Sequence, residues 1–300
     1  MENNVPEFLI EKLNNQYGIE LTKNILEGYT KKRKTTIRIN TIKTNVEEIE
    51  KELKLNNIKY NKVNWINEAL IIEDANEKDI SKLKIYEEGK IYLQSLSSMI
   101  PPVILDPMED EDILDMCAAP GSKTTQIAAM VSNNSRITAC EMNTVRVERL
   151  KYNIEKLGAS CIYTMNVDAR RLDSFFSFDR ILLDAPCSGS GTISIYNRNL
   201  EKTFTNRLIE KSVKAQSTLL NKAIEVLKPG KEMVYSTCSI LEEENEEILN
   251  TILKRKNVEL VPIELEENHF KLLPTKIKGT ICVMPTEEYE GFFIAKIKKI

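Results

Sequence analysis

The stretch LDMCAAPGSKT, residues 114–124, carries the clearest fold signal in this 300-residue chain. Its first residues end an apolar run, and its small residues lead through Gly121 into the helical pattern TTQIAAMV. In parallel α/β sheets, such a strand–turn–helix unit presents free backbone N–H groups at the carboxyl edge, where ligands bind. The stretch has neither the G-x-G-x-x-G spacing of dinucleotide folds nor the spacing of a Walker loop. A simple tight turn is the alternative interpretation.

From about residue 93, apolar runs alternate with helical patterns. The runs are DILDMC, RITACE, CIYTMNV, RILLDAP and EMVYSTCS. Buried runs separated by helices predict a parallel sheet with helices on both faces. The last run, GFFIAKIKKI, predicts one more strand, and its lysines indicate an edge position.

Two smaller units precede this region. The first thirty residues have the apolar spacing of amphipathic helices. The following segment reads as β-α-β-β-α-β, with Thr44 and Glu47 in the spacing of a capping box, and predicts a small α+β module. The sequence therefore predicts three units, at residues 1–30, 31–92 and 93–300.

Composition and cysteine spacing exclude several classes of protein. The net charge of −3 gives no global attraction to nucleic acid, so local patches must provide any such binding. No apolar stretch is long enough for a membrane helix and the start is too polar for a signal peptide, so we expect a cytoplasmic protein. The six cysteines form no C-x-x-C pair and the single histidine is His269, so we expect neither a metal site nor a Cys–His relay.

Acidic residues close three successive predicted strands. They are Glu141, Asp168 and Asp184. An acid at the second strand end of a nucleotide fold holds ribose hydroxyls, and one at the next end can accept from an adenine amino group. Each could instead cap a helix. Their meeting at one edge favours a cofactor that contains adenosine.

Two cysteines also follow predicted strands. Cys187 lies in DAPCSGSGT (184–192) and Cys238 in VYSTCSI (234–240). Both are therefore expected at the same carboxyl edge. Inert packing is the alternative for each of them.

The motifs DMCAAPGSKT, DAPCSGSGT and VYSTCS, in this order, resemble the Nol/Nop/Sun family of RNA cytosine-5 methyltransferases. The similarity extends from about residue 94 to near the end, and the basic module before it resembles the family's RRM-like region. The resemblance implies a Rossmann-like class I methyltransferase domain with a mostly parallel, seven-stranded sheet, and S-adenosyl-L-methionine as cofactor. The cofactor-binding residues that it implies are Cys117, Ala118, Ala119, Pro120, Gly121, Ser122, Lys123, Glu141, Arg146, Asp168 and Asp184. Ser122 stands where glycine is usual, and Glu141 where aspartate is commoner.

The chemistry of cytosine methylation gives the cysteines their implied roles. A nucleophile must add to C6 before C5 can accept a methyl group, and a soft thiolate suits that addition. The resemblance implies Cys238 as the nucleophile, Cys187 as the residue that assists product release, and Asp184 as the contact of cytosine N3. DNA cytosine-5 methyltransferases use the cysteine of a Pro-Cys motif, which would nominate Cys187 instead.

The expected partner is an RNA, ribosomal or transfer, with its target base unpaired or flipped out. Phosphate contacts are expected from a basic run and two following residues, with a solvated surface as the alternative: Lys31, Lys32, Arg33, Lys34, Arg38 and Lys43. We expect a monomer that binds neither membrane nor metal. The rival functions are a catalytically silent RNA-binding assembly factor, a nicotinamide oxidoreductase and a DNA cytosine methyltransferase.

Overall fold

Two sheets organise the computed structural model, which describes residues 5–254, 257–264 and 269–300. A four-stranded sheet lies in the N-terminal third of the chain, and a nine-stranded sheet occupies the rest. A long helix, α1 (Glu7–Thr30), precedes both and bends at Gly18, where φ is 78°. The buried side chains of α1 belong to the core of the large sheet: Leu9, Leu13, Tyr17, Ile25 and Tyr29. The N-terminal helix is therefore part of the large unit's packing.

The small sheet has the predicted β-α-β-β-α-β order. Its elements are β1 (Thr35–Ile39), α2 (Val46–Leu55), β2 (Tyr60–Val63), β3 (Ile66–Ile72), α3 (Glu77–Ile80), α4 (Lys84–Glu87) and β4 (Ile91–Leu93). The strands are antiparallel in the order β2-β3-β1-β4. The cap of α2 differs from the prediction, because Asn45, not Thr44, accepts a hydrogen bond from the backbone N–H of Glu48.

The large sheet alternates strands with helices. Its elements are α5 (Leu96–Leu105), β5 (Asp112–Asp115), α6 (Ser122–Met130), β6 (Arg136–Cys140), α7 (Thr144–Leu157), β7 (Ile162–Met165), β8 (Phe178–Asp184), α8 (Leu200–Thr203), α9 (Asn206–Val226), β9 (Leu227–Thr237), α10 (Glu246–Leu253), β10 (Val258–Val261), β11 (Leu272–Leu273), β12 (Ile281–Val283) and β13 (Phe292–Lys299). The order is β11-β12-β13-β9-β8-β5-β6-β7, and β10 pairs with β13. Strands β7, β6, β5, β8 and β9 run parallel. The Rossmann-like class is confirmed.

Two details of the sheet differ from expectation. It has nine strands in the described residues rather than seven, because the short β10 and β11 extend the antiparallel part. Strand β13 is not an edge, since it pairs with β9, β12 and β10. Its lysines fit an interior strand because acidic residues face them across the sheet, as in the 2.9 Å ion pair of Lys296 with Glu232.

The parallel part of the sheet decides where the predicted motifs meet. Parallel strands end at one edge, so the loops that follow β5, β6, β7, β8 and β9 converge there. In the part of the chain that is described, no helix combines the length and apolarity needed to cross a membrane.

Candidate active site

A pocket of about 510 Å³ opens at this carboxyl edge. It is lined by residues from the loops after all five parallel strands. Eight of them are residues that the sequence singled out: Cys117, Ala119, Glu141, Arg146, Asp168, Asp184, Cys187 and Cys238. The fold therefore brings the predicted acids and both cysteines to one cavity.

Asp115, the last residue of β5, holds the loop that follows this strand. This buried carboxyl group accepts hydrogen bonds from Thr124 Oγ1 at 2.7 Å and from the backbone N–H of Cys117 at 3.3 Å. Burial raises the pKa of Asp115 to about 6. Gly121 ends the loop with φ of 105°, and a Cβ there would lie 2.9 Å from Leu150 Cδ1. The loop therefore requires glycine at this position.

The seven loop residues expected around a cofactor divide into two groups. Cys117 and Ala119 line the pocket. Lys123 does not line it but forms an ion pair with Asp184, which does. The other four are not in the lining: Ala118, Pro120, Gly121 and Ser122. Burial raises the pKa of the Cys117 thiol well above its ordinary value, so this cysteine is a neutral group of the loop.

Glu141 lies at the end of β6 and is only 4% exposed. Its Oε1 accepts a hydrogen bond from the backbone N–H of Asn143 at 2.8 Å, and its Oε2 lies 3.0 Å from Arg146 Nη1. Arg146 also donates through Nη2 to the carbonyl oxygen of Ala119 at 2.5 Å. Arg146 thus connects the acid at the second strand end with the loop after the first strand.

Asp168 lies at the third strand end and pairs with Arg170. The carboxylate accepts from Arg170 Nε at 2.9 Å and from Nη2 at 2.7 Å, and these bonds lower the pKa of Asp168. It also accepts from the backbone N–H of Arg170, so it caps the 3-10 turn at 169–171. Arg170 lines the pocket as well, although the sequence did not indicate it. The only signal was its place two residues after a strand-end acid.

Asp184 is fixed by two partners at the end of β8. Its Oδ1 accepts from Ser236 Oγ at 2.9 Å, and its Oδ2 lies 2.8 Å from Lys123 Nζ. Lys123 also donates to Ser98 Oγ at 2.7 Å. Lys123 therefore acts on the pocket through Asp184, which the sequence did not indicate.

The two cysteines are in contact. Cys187 Sγ and Cys238 Sγ lie 2.9 Å apart in the pocket wall. The hydrogen bond with Cys238 and burial raise the pKa of Cys187 well above its ordinary value. Cys187 is therefore a neutral thiol that can donate to Cys238 Sγ. The backbone joins the two loops too, because the N–H of Gly191 donates to the carbonyl oxygen of Cys238 at 3.0 Å.

Side chains of helix α1 donate hydrogen bonds to both of the loops that carry Cys187 and Cys238. Tyr29 donates its hydroxyl to the carbonyl oxygen of Ser190 at 2.6 Å, and Tyr17 donates to that of Ile240 at 2.5 Å. Gln16 Nε2 donates to the same oxygen of Ile240 at 3.0 Å. The sequence did not predict these hydrogen bonds, because the apolar pattern of α1 indicates only which face of the helix packs against the core.

The structure overturns the expectation that Arg38 contacts phosphate. The side chain is 2% exposed, and it donates to the side chains of Gln94 and Thr125 and to the carbonyl oxygen of Ser122. Arg38 therefore joins the small sheet to α6. It is buried because every residue of β1 is covered.

The other basic residues expected at RNA differ in how accessible they are. Arg33 is half-buried and donates to the carbonyl oxygens of Gly28 and Thr286. Three lysines have partners nearby: Lys31 with Glu27 at 2.9 Å, Lys34 with Glu73 at 3.0 Å, and Lys43 with the carbonyl oxygen of Lys156 at 2.6 Å. Lys31, Lys32 and Lys43 are exposed. These three remain the accessible part of the predicted set.

Comparisons with known proteins were consistent with this geometry. Residues 102–298 match the family described as 16S rRNA methyltransferase RsmB/F, and residues 5–78 match its ferredoxin-like domain. A mouse 28S rRNA (cytosine-C(5))-methyltransferase is 34% identical over 98% of this chain and 38% of its own length. Ribosomal RNA small subunit methyltransferase F of Vibrio campbellii is 33% identical over 99% of this chain and 63% of its own length. The chain thus spans less than two thirds of either relative.

Two solved structures have the same fold over nearly their whole length. A methyltransferase homolog protein from Pyrococcus horikoshii is 33% identical with a TM-score of 0.82, over 99% of this chain and 100% of that one. NSun6 from Pyrococcus horikoshii with SFG is 25% identical with a TM-score of 0.88, over 100% of this chain and 99% of that one. Because the family model matches well over half of its residues, this chain belongs to the RsmB/F methyltransferase family.

Proposed function

We propose that this protein transfers a methyl group from S-adenosyl-L-methionine to C5 of an unpaired cytosine in ribosomal or transfer RNA, through a covalent bond between a cysteine and C6. One observation carries the proposal: two cysteine Sγ atoms lie 2.9 Å apart in the same pocket as the strand-end acids. The relatives named as rRNA cytosine-C5 methyltransferases support the choice of reaction.

The pocket fits the methyl donor by its chemistry. Its volume of about 510 Å³ lies within the range of small-molecule sites. The carboxylates of Glu141 and Asp168 suit ribose hydroxyls and an adenine amino group, and Met142 and Val167 add apolar surface for a base. When bound, S-adenosyl-L-methionine supplies an electrophilic methyl group. The residues proposed to hold it are the loop 117–123 together with Glu141, Arg146, Asp168 and Asp184.

Cys238 is the proposed nucleophile. After its thiol proton passes to solvent, its sulfur forms a bond to C6 of cytosine, and the electrons of the C5–C6 double bond become available at C5. Asp184 contacts N3, where a proton shared between its carboxyl group and N3 offsets the negative charge that develops in the ring. Its two partners, Lys123 and Ser236, hold that carboxylate in place.

Cys187 is proposed to act in the second half of the reaction. The proton on C5 passes to a water molecule, the electrons of the C5–H bond restore the C5–C6 double bond, and the Cys238 sulfur leaves C6 as a thiolate that Cys187 can protonate. The raised pKa of Cys187 supports a role other than attack, because the thiolate is the nucleophilic form. A neutral thiol beside the leaving sulfur suits assistance with release.

Bisulfite sequencing of total RNA, from cells with and without the gene, tests the proposed function. We expect one or a few cytosines that resist conversion only when the gene is present. Restoration by a wild-type copy, but not by a Cys238→Ala copy, attributes the modification to this pocket. Identical maps from both cell types, with intact cofactor binding by the purified protein, would instead support the silent RNA-binding alternative.

A further inference from the structure

A buried carboxylate outside the predicted motifs connects the two cysteine loops. Glu244 ends the 3-10 turn 242–244, and its side chain has no solvent exposure. Its Oε1 accepts from the backbone N–H of Ser188 at 2.7 Å, and its Oε2 accepts from Ser188 Oγ and Ser239 Oγ, each at 2.5 Å. Ser188 directly follows Cys187, and Ser239 directly follows Cys238. One carboxylate therefore spans both loops, one residue from each thiol.

The surrounding hydrogen bonds strengthen this connection. Gln216 donates through Nε2 to Glu244 Oε1 at 3.3 Å and to the carbonyl oxygen of Pro186 at 3.0 Å. Ser190 Oγ lies 2.8 Å from Ser239 Oγ, which links the loops a second time. The four donors to Glu244 are uncharged, so they orient its carboxyl group by hydrogen bonds alone.

The carboxylate of Glu244 also acts on one of the thiols. The negative charge of Glu244 contributes to the raised pKa of Cys187, after the hydrogen bond with Cys238, burial and the charge of Cys238. The carboxylate therefore disfavours a thiolate at Cys187. Geometry and charge then favour the same division of roles between the cysteines.

We propose that Glu244 is a positioning residue that holds Cys187 and Cys238 in the mutual geometry that the reaction requires. The inference rests on the proposed function and adds a residue to its site. Glu244 is absent from the lining of the pocket, so it acts through the serines that follow the two cysteines. Misplacement of reacting groups by about 1 Å can cost about 100-fold in rate, and removal of Glu244 frees both loops at once.

Three variants test the proposal by steady-state methylation kinetics. We expect Glu244→Ala to lower kcat by about 100-fold. KM for RNA and cofactor affinity should stay near wild-type values, because Glu244 is buried and does not line the pocket. Glu244→Gln should recover much of the rate, since its amide oxygen can accept from Ser188 and the serine hydroxyls can accept from its NH2 group. Glu243→Ala is the matched control, because Glu243 faces Lys12 at 2.6 Å and should give the wild-type rate.

A second measurement does not depend on RNA methylation. Alkylation by iodoacetamide, mapped by mass spectrometry, compares Cys187 with Cys238 in the purified protein. We expect Cys238 to react faster in the wild type, and the two rates to converge in Glu244→Ala. If the wild-type protein does not methylate RNA but the two alkylation rates still converge in Glu244→Ala, the proposed function is wrong and the positioning role of Glu244 stands.

Several results would overturn the inference itself. A wild-type kcat in Glu244→Ala would do so, as would an equal loss in Glu243→Ala. A loss of cofactor binding in both Glu244 variants would show a role in folding alone. Unchanged relative alkylation of the two cysteines would also count against it.

Discussion

At the scale of single residues, the two cysteines make opposite predictions under the rival assignments. If Cys238 attacks C6, Cys238→Ala forms no covalent complex with RNA. Cys187→Ala should still attack and transfer methyl, and it should accumulate a protein–RNA adduct because release is slowed. Denaturing gels of each variant with RNA and cofactor measure this directly. An adduct in Cys238→Ala, with none in Cys187→Ala, would reverse the assignment.

The strand-end acids give a second test at this scale. Glu141→Ala and Asp168→Ala should each weaken S-adenosyl-L-methionine binding by about 10- to 100-fold, the range for a hydrogen bond to a charged group. Isothermal titration calorimetry measures the affinity. The matched control is Glu148→Ala, an exposed glutamate of α7 that pairs with Lys151 and should bind normally. If all three variants bind S-adenosyl-L-methionine with the wild-type affinity, the carboxylates of Glu141 and Asp168 do not belong to the cofactor site.

Asp115 gives a prediction about pH. Burial raises its pKa from 3.8 to about 6, so the folded protein binds a proton more tightly than the unfolded chain. The contribution of Asp115 to the free energy of unfolding therefore falls by about 3 kcal/mol as pH rises from about 3.8 to about 6, and it stays constant above that. Asp115→Asn should add stability that grows over this window, measured by urea unfolding at several pH values. A constant difference between variant and wild type would contradict the assignment.

The sequence predicted which residues meet in one pocket where backbone topology alone determines position. Glu141, Asp168, Asp184, Cys187 and Cys238 all follow strands, and parallel strands end together. Arg38, Arg170 and Glu244 could not be assigned in this way. Their roles depend on which side chain meets which partner, and that is determined by tertiary packing.

At the scale of elements, β1 and α6 are joined by Arg38. Its guanidinium group reaches Gln94, Ser122 and Thr125. Arg38→Ala would remove this donor from the side chains of Gln94 and Thr125 and from the carbonyl oxygen of Ser122, and we expect a loss of about 3 kcal/mol in the free energy of unfolding. Urea unfolding measures the loss. A variant as stable as wild type would show that the contact contributes little to docking of the small sheet.

Strand β13 shows why element positions are harder to predict than element types. The run GFFIAKIKKI predicted the strand correctly, but its lysines indicated an edge. The acids that form ion pairs with those lysines are far away in sequence. They are Glu232 on β9 and Glu259 on β10. The local pattern therefore predicts the conformation of this segment, but its neighbours in the sheet depend on residues far away in the chain.

At the scale of the whole molecule, net charge gives no drive towards RNA. The formal charge is −3, so binding must depend on local cations. Among the predicted basic residues, Lys31 and Lys32 are exposed at the end of α1, whose preceding turns support the cysteine loops. One helix thus connects a basic surface with the candidate active site.

The salt dependence of RNA binding tests that connection. Each phosphate contact of a single-stranded RNA contributes about 0.7 to the slope of log affinity against log salt. Lys31→Ala with Lys32→Ala should therefore flatten the slope by about 1.4. Arg38→Ala should leave it unchanged, because that side chain is buried. The control is the pair Lys82→Ala and Lys84→Ala, which removes the same charge from exposed positions of the small module. A slope that falls equally in the control would mean that the lysines act through net charge, and a slope unchanged in every variant would place the RNA on another surface.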